Sequence, residues 1–139
     1  VTPRPVGFIS TQDSSGVVNV APFSYFNAMG HDPPVVAVSI CRKGQGQKKD
    51  TLNNIEASGE FVASIISEWF VEAANHACGN FPPEVDEMAD SGLTPLPSLL
   101  VSSPRVKESA FSMECKVRHS YDVKKQDGAV TATVIIAEV

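Results

Sequence analysis

The stretch "VGFISTQDSSGVVNVAPFSYFNAM", residues 6–29, decides how the rest of the chain is interpreted. Two runs rich in β-branched and aromatic residues, 6–11 and 17–29, flank the polar cluster "QDSSG". Gly, Asp and Ser favour turns, whereas Val, Ile, Phe and Tyr favour strands, so this pattern is typical of a β-hairpin. Residues 6–29 therefore predict antiparallel strands joined by a short turn.

The downstream sequence continues with short strands and two helices. The apolar run "PPVVAVSIC" at 33–41 predicts a strand buried on both faces. The next predicted element is a helix at 51–58, with Asp50 or Thr51 as N-cap and Gly59 as the C′ residue. A strand at 60–67, a helix at 68–78 and one short acidic helical turn follow. Residues 103–139 predict three strands, the last two joined at Asp127-Gly128.

This order of elements selects the fold class. A doubly wound parallel fold needs a helix between nearly every pair of strands, which the chain lacks. Consecutive hairpins favour an antiparallel barrel or sandwich with helices packed outside. With 139 residues, 42% of them hydrophobic, the chain can bury one core. We therefore expect a single domain over residues 1–139, with segments missing at both ends because the first and last residues lie within strand-like runs.

Composition excludes several classes of function. A net charge of -5 argues against broad binding to nucleic acid. No run approaches the roughly 18 apolar residues of a membrane span, so no membrane partner is expected. The three cysteines, Cys41, Cys78 and Cys115, are far apart and form no disulfide or zinc pattern. We expect them to be buried free thiols in a reducing compartment, the cytoplasm.

The segment "SICRKGQGQKKDTLNNI", residues 39–55, concentrates positive charge in an acidic chain. Its glycine spacing fits neither the Walker pattern nor the dinucleotide fingerprint. A flexible glycine loop with lysines that runs into a helix still favours phosphate, because the first helical amides lack partners and the helix dipole is positive there. The alternative is a solvated loop whose lysines only improve solubility, and both interpretations stay open on charge alone.

The motifs "PRPVGFIST", "NVAPFSYFN", "DPPVVAVSI", "KDTLNNI" and "SGEFV", in this order and spacing, resemble the flavin reductase-like, FMN-binding split-barrel family, especially its flavoredoxin-like branch. The resemblance runs from Pro3 to about Lys116 and includes "GLTPLPS" and "SPRVKESAFSMECKV". It implies a mainly β fold, a six-stranded antiparallel Greek-key split barrel with peripheral helices. It also implies a homodimer with FMN at the subunit interface.

The same resemblance implies a set of cofactor-binding residues. Ser39, Lys49 and Thr51 would take the phosphate, with Lys48 or Arg42 adding charge. The segment from Ala21 to Asn27 would lie along the flavin ring and ribityl chain, through these residues: Ala21, Pro22, Phe23, Ser24 and Asn27.

Several of these residues also have a structural explanation. Phe23 and its aromatic neighbours suit a core or dimer interface, and Ser39 suits a hydrogen bond to the backbone. Trp69 is expected to pack its helix onto the barrel, while the three histidines are expected at the surface. The acidic residues Glu84, Asp86, Glu87 and Asp90 have the pattern of a solvent-facing helix rather than a metal site.

The resemblance implies an oxidoreductase in which NADH or NADPH reduces FMN, and a small-molecule or protein acceptor takes the electrons. No catalytic side chain is expected, because hydride transfer to flavin is cofactor chemistry. Two alternatives remain. Related split barrels oxidise pyridoxamine phosphate or bind haem or deazaflavin, and a non-catalytic binding module would use the basic loop to meet an acidic partner.

Overall fold

The computed structural model describes residues 1–139. Its strands are β1 (Gly7–Gln12), β2 (Val18–Phe23), β3 (Phe26–His31), β4 (Pro34–Cys41), β5 (Glu60–Ile65), β6 (Pro95–Leu96), β7 (Arg105–Val106), β8 (Ser112–Lys124) and β9 (Val130–Glu138). Its helices are α1 (Asp50–Ser58), α2 (Val71–His76) and α3 (Glu87–Asp90), with 3₁₀ turns at Gly44–Gly46 and Glu68–Phe70.

Seven strands form one antiparallel sheet in the order β2-β1-β5-β8-β9-β4-β3, and β6 pairs with β7 separately. The mainly β antiparallel fold is therefore confirmed, with seven strands in the large sheet rather than six. The hairpin predicted from residues 6–29 is present, because Gly7 pairs with Phe23 and Gln12 with Val18. The run 17–29 divides into two strands, β2 and β3.

The sheet curls so that its two edges approach each other. The edge strands β2 and β3 are consecutive in the chain and are separated only by Ser24 and Tyr25. A Cβ atom on Gly7 of β1 would lie 2.7 Å from the ring of Phe26 on β3. Only glycine permits this approach, so position 7 contributes to closing the barrel.

The main core fills the inside of the curled sheet and includes Phe61, Ile135 and the apolar side of α1. In β4, Val36, Val38 and Ile40 are buried while the residues between them are half-buried or exposed. The expectation of burial on both faces of this strand is wrong, because its side chains alternate between the core and a partly open face.

Helix α1 begins one residue earlier than predicted. Lys49 is its N-cap and makes no side-chain cap hydrogen bond, so neither Asp50 nor Thr51 caps the helix. Gly59 ends it at φ +73°, as the sequence predicts. Leu52 and Ile55 anchor the helix in the core.

A second apolar cluster joins the outer face of the hairpin to α2 and α3. Phe8, Val20, Phe70 and Met88 are among its buried members. This packing sets α3 against β2.

The predicted helix at 68–78 is shorter in the structure, where a 3₁₀ turn precedes α2. Trp69 is 70% exposed, and its indole N–H donates to the carbonyl of Glu108. The expected packing of Trp69 onto the barrel is therefore wrong.

Other predictions are resolved by burial and turn geometry. The Asp127-Gly128 turn joins β8 to β9, with Gly128 at φ +86°. All three cysteines are free thiols, but only Cys115 is buried, so the expected burial of Cys41 and Cys78 is wrong. No helix has both the length and the apolar character that crossing a membrane requires.

Candidate functional site

A cavity of about 240 Å³ lies where β2, the start of α1, the segment after α2 and the start of α3 meet. It is smaller than the roughly 300–1,000 Å³ of most ligand pockets, so it suits one part of a cofactor rather than the whole. We call it the phosphate pocket, after the ligand that the sequence predicts at the start of α1. Its lining residues are Asn19, Ala21, Pro22, Lys43, Lys49, Asp50, Thr51, Ala77, Cys78, Gly79, Asn80, Phe81 and Glu87.

Two lysines of the basic loop line this pocket, and they differ in their partners. The ammonium of Lys43 pairs with the carboxylate of Asp50 at 2.9 Å. Lys49 has no acidic partner, and its Nζ lies 5.5 Å from the centre of the Phe23 ring. Lys49 is therefore the cation in the pocket that is free to meet an anion.

The start of α1 adds backbone donors to the same wall. The amides of Asp50 and Thr51 have no hydrogen-bond partner in the protein, because the first bonds of the helix run from Leu52 and Asn53 to the carbonyl of Lys49. Unpaired amides at a helix start carry a partial positive charge and can donate hydrogen bonds to an anion. The free ammonium and the free amides lie side by side in sequence and share one pocket.

Three polar side chains form a chain of hydrogen bonds in this wall. The hydroxyl of Thr51 donates to Asn19 Oδ1 at 2.6 Å, and Asn19 Nδ2 donates to Glu87 Oε2 at 2.5 Å. The amide of Val20 donates to the same carboxyl oxygen at 2.9 Å. Thr51 is only 1% exposed, and the single proton of its hydroxyl is used inside the protein. The hydroxyl proton of Thr51 is therefore not free to bond a ligand in the pocket.

Glu87 is a functional candidate that the sequence interpretation missed. It is only 7% exposed, so the expectation of a solvent-facing side chain is wrong at this position. Burial raises the pKa of its carboxyl to about 7, and Asp50 adds to this rise while the Val20 amide and Lys43 oppose it. Glu87 is therefore a carboxyl that changes charge near neutral pH within the pocket.

The remaining wall, also absent from the sequence interpretation, comes from the segment after α2. Gly79 lies against Phe81, because a Cβ atom at position 79 would be 2.5 Å from that ring. Burial raises the pKa of the neighbouring Cys78 thiol, while the charge of Lys49 lowers it. This segment supplies an apolar ring and a neutral thiol beside the two lysines.

A second, more open cavity of about 290 Å³ lies further along the same stretch of chain. We call it the β3 groove. Its lining residues are Arg4, Pro5, Ser24, Tyr25, Phe26, Asn27, Ala37, Ser39 and Val134.

The predicted site residues divide between the two cavities. Ala21, Pro22, Lys49 and Thr51 line the phosphate pocket, with the buried ring of Phe23 beside Lys49. The residues that line the β3 groove instead are Ser24, Asn27 and Ser39.

Ser39 and Arg4 have structural contacts within the β3 groove. The amide of Ser39 donates to the carbonyl of Tyr25 at 2.8 Å. Arg4 donates from Nε to Ser24 Oγ at 3.1 Å and lies over the Tyr25 ring at 5.0 Å. The structure therefore does not bring Ser39 together with Lys49 and Thr51 in one cavity.

The other two basic residues of the loop lie outside both cavities. Lys48 precedes α1 and pairs with Glu56 on that helix, and Arg42 pairs with Asp122 on β8 at 3.2 Å. Each charge already has an acidic partner. Within the basic loop, the structure thus separates the pocket lysines Lys43 and Lys49 from these two.

The sequence model for the family described as "Flavin reductase like domain" matches residues 2–139. The chain belongs to the flavin reductase-like domain family. This confirms the resemblance on which the sequence interpretation rests.

Three relatives show how far the likeness extends. An uncharacterized protein of Halalkalibacterium halodurans is 40% identical over the whole chain, which spans 66% of that relative. The structure of nitrilotriacetate monooxygenase component B from Bacillus cereus is 37% identical in sequence and superposes with a TM-score of 0.95. The match covers 100% of this chain and 68% of the Bacillus cereus chain. Flavoredoxin of Desulfovibrio vulgaris is 28% identical with a TM-score of 0.81, the match covering 99% of this chain and 68% of that one.

These structures confirm the split-barrel fold of this flavin reductase-like domain. The chain spans about two thirds of the length of the relatives it matches. The phosphate pocket lies entirely within the region that the family model matches.

Proposed function

We propose that this flavin reductase-like domain binds FMN and belongs to an NAD(P)H-dependent oxidoreductase that passes electrons from the nicotinamide to a further acceptor. The observation that carries the proposal is the free ammonium of Lys49 beside the unpaired amides of Asp50 and Thr51 in one small cavity. Family membership supports flavin as the cofactor class.

The donor set fits a terminal phosphate. Phosphate oxygens only accept hydrogen bonds from protein donors, and the pocket offers three donors that have no partner in the protein. Each hydrogen bond to a charged oxygen contributes roughly 1.5–3 kcal/mol net. Lys43 adds positive charge at a second corner, although Asp50 offsets part of it.

The segment Ala21–Asn27 connects the phosphate pocket to the β3 groove and is where we place the flavin ring and ribityl chain. Ala21 and Pro22 line the first cavity, and Ser24 and Asn27 line the second. Pro22 stiffens the backbone between them. Bound flavin supplies the hydride chemistry. The protein residues named here bind and orient it, and we assign no catalytic acid or base among them.

Further parts of the proposal concern the whole protein. We propose a homodimer with FMN at the subunit interface, and a small molecule or a protein as electron acceptor. The three free thiols support a reducing compartment, which we take to be the cytoplasm.

The test begins with FMN binding. Titration of FMN into the protein is expected to quench flavin fluorescence with one FMN per chain, and anaerobic NADH or NADPH is expected to bleach the bound yellow colour. Pyridoxal phosphate serves as the comparison ligand because it shares the phosphate but not the ring. Tighter binding of pyridoxal phosphate than of FMN, or binding of neither, contradicts the proposal.

A further inference from the structure

The charge of the phosphate pocket depends on one carboxyl. Besides the thiol of Cys78, four ionisable side chains line it, the lysines Lys43 and Lys49 and the acids Asp50 and Glu87. With both carboxyls ionised the formal charges cancel. With Glu87 neutral one positive charge remains, and the pocket then favours an anion.

The two oxygens of Glu87 have different surroundings. Oε2 accepts hydrogen bonds from the side chain of Asn19 and the amide of Val20. Oε1 has no hydrogen-bond partner and is not fully buried. Glu87 itself lines the phosphate pocket. A proton on Glu87 therefore belongs on Oε1, where the resulting O–H is a donor for a molecule in the pocket.

We propose that Glu87 takes up one proton when a phosphate-bearing ligand binds, and that its neutral carboxyl both restores a net positive pocket and donates to the anion. This inference rests on the proposed function for the identity of the ligand. It adds to that function a residue, Glu87, whose protonation is coupled to binding of the phosphate. Hydrogen bonds from Asn19 and Val20 hold Glu87 in position, and the basic loop does not.

The groups around Glu87 support this assignment. Burial is the largest cause of the rise in the pKa of the Glu87 carboxyl to about 7. Asp50 on α1 and Asp86, the residue before Glu87, raise this pKa further, whereas Lys43 lowers it. Lys49 and Cys78 are the other ionisable groups of the cavity, and burial raises the pKa of the thiol so that it stays neutral. Placing a dianion beside an ionised Glu87 would bring like charges together, so binding favours the protonated form.

The expected effect follows from linkage. If the free carboxyl titrates at about 7 and stays protonated in the complex, FMN affinity falls about tenfold between pH 6 and pH 8. The second ionisation of a phosphate monoester near pH 6 strengthens binding about twofold over the same range. We therefore expect a net loss of about fivefold for the unaltered protein, and a gain of about twofold for Glu87→Gln, which stays neutral.

The experiment measures FMN affinity by fluorescence quenching at several pH values for both proteins, with riboflavin as the ligand that lacks phosphate. Calorimetry in two buffers of different ionisation enthalpy counts protons, and uptake of about 0.5–1 proton per FMN is expected at pH 7.5. Histidine also titrates in this range, and His76 contacts the pocket residue Phe81 with ring centres 5.4 Å apart. His76→Gln is therefore the control, and its pH profile should match that of the unaltered protein.

Each outcome decides something definite. Equal pH profiles for the unaltered protein and Glu87→Gln, or no proton uptake on binding, overturn the inference and leave the proposed function intact. If FMN does not bind at any pH, the proposed function falls, and inorganic phosphate becomes the probe. Phosphate binding with proton uptake then supports the role of Glu87, and phosphate binding without it, or no binding, overturns that role. If Glu87→Gln does not fold, proton uptake by the unaltered protein decides alone.

Discussion

Replacing Lys49 by methionine tests the phosphate pocket most directly. Methionine keeps an unbranched side chain of similar length and removes only the charge and its donors. In the structure Lys49 has no acidic partner, so the substitution strands no carboxylate and should leave the fold unchanged. The loss should appear in ligand binding alone.

The magnitude follows from the one contact that is removed. A hydrogen bond to a charged oxygen contributes roughly 1.5–3 kcal/mol. Since each 1.4 kcal/mol is about a factor of ten, Lys49→Met should weaken FMN binding by about 10- to 150-fold. Riboflavin, which has no phosphate, should bind both proteins with similar affinity.

The neighbouring Lys48→Met is the matched comparison. It removes the same charge one residue away, but Lys48 lies outside the pocket and pairs with Glu56. We expect FMN affinity to change less than about threefold, because an exposed ion pair contributes little. Equal losses for the two variants, or a loss under threefold for Lys49→Met, would refute the placement of the phosphate. The result also tests the cofactor role that family resemblance implies for Lys48.

Three further predictions concern the pocket carboxyl, the barrel and the thiols. Since the folded pKa of Glu87 is raised from 4.5 to about 7, the folded state holds the proton more tightly, and the contribution of Glu87 to the unfolding free energy should fall by about 3 kcal/mol as pH rises from 4.5 to 8. Urea unfolding of Glu87→Gln should lack this slope. Gly7→Ala should cost about 1–3 kcal/mol in the same assay through overpacking, whereas Gly44→Ala, with open space around it, should cost under about 0.5. FMN should slow iodoacetamide labelling of Cys78, which lines the pocket, but not of the exposed Cys41. The same pH dependence of unfolding for the unaltered protein and Glu87→Gln, equal costs for the two glycines, or unprotected Cys78 would contradict the respective prediction.

Local patterns made much of the fold predictable. The hairpin of residues 6–29, the αL glycine at Gly59 and the turn at Gly128 each depend on side chains close together in sequence. The position of Lys49 at a helix start was also visible, because the basic loop runs directly into an apolar helical spacing.

The missed features depend on contacts between distant segments. Glu87 looks like any exposed acid in "EVDEMAD", and only the packing of Met88 against Phe8 and Val20 turns it towards β2. Nothing near Trp69 in sequence shows that its helix is short and that the indole stays outside. Ser39 lies on β4 and Lys49 just before α1, and which cavity each of them lines depends on tertiary packing that no local pattern records.

The two-residue link Ser24–Tyr25 between the edge strands has a mechanical consequence. The strand ends Phe23 and Phe26 are three Cα–Cα steps apart, at most about 11 Å, so the two sheet edges stay close at this end of the barrel unless a strand unfolds. The phosphate pocket includes residues of β2 just before this link, and the β3 groove includes both residues of the link. A ligand in either cavity should therefore reduce the motion of residues around the other cavity. Slower amide hydrogen exchange on β3, at residues that the ligand does not contact, would show this coupling.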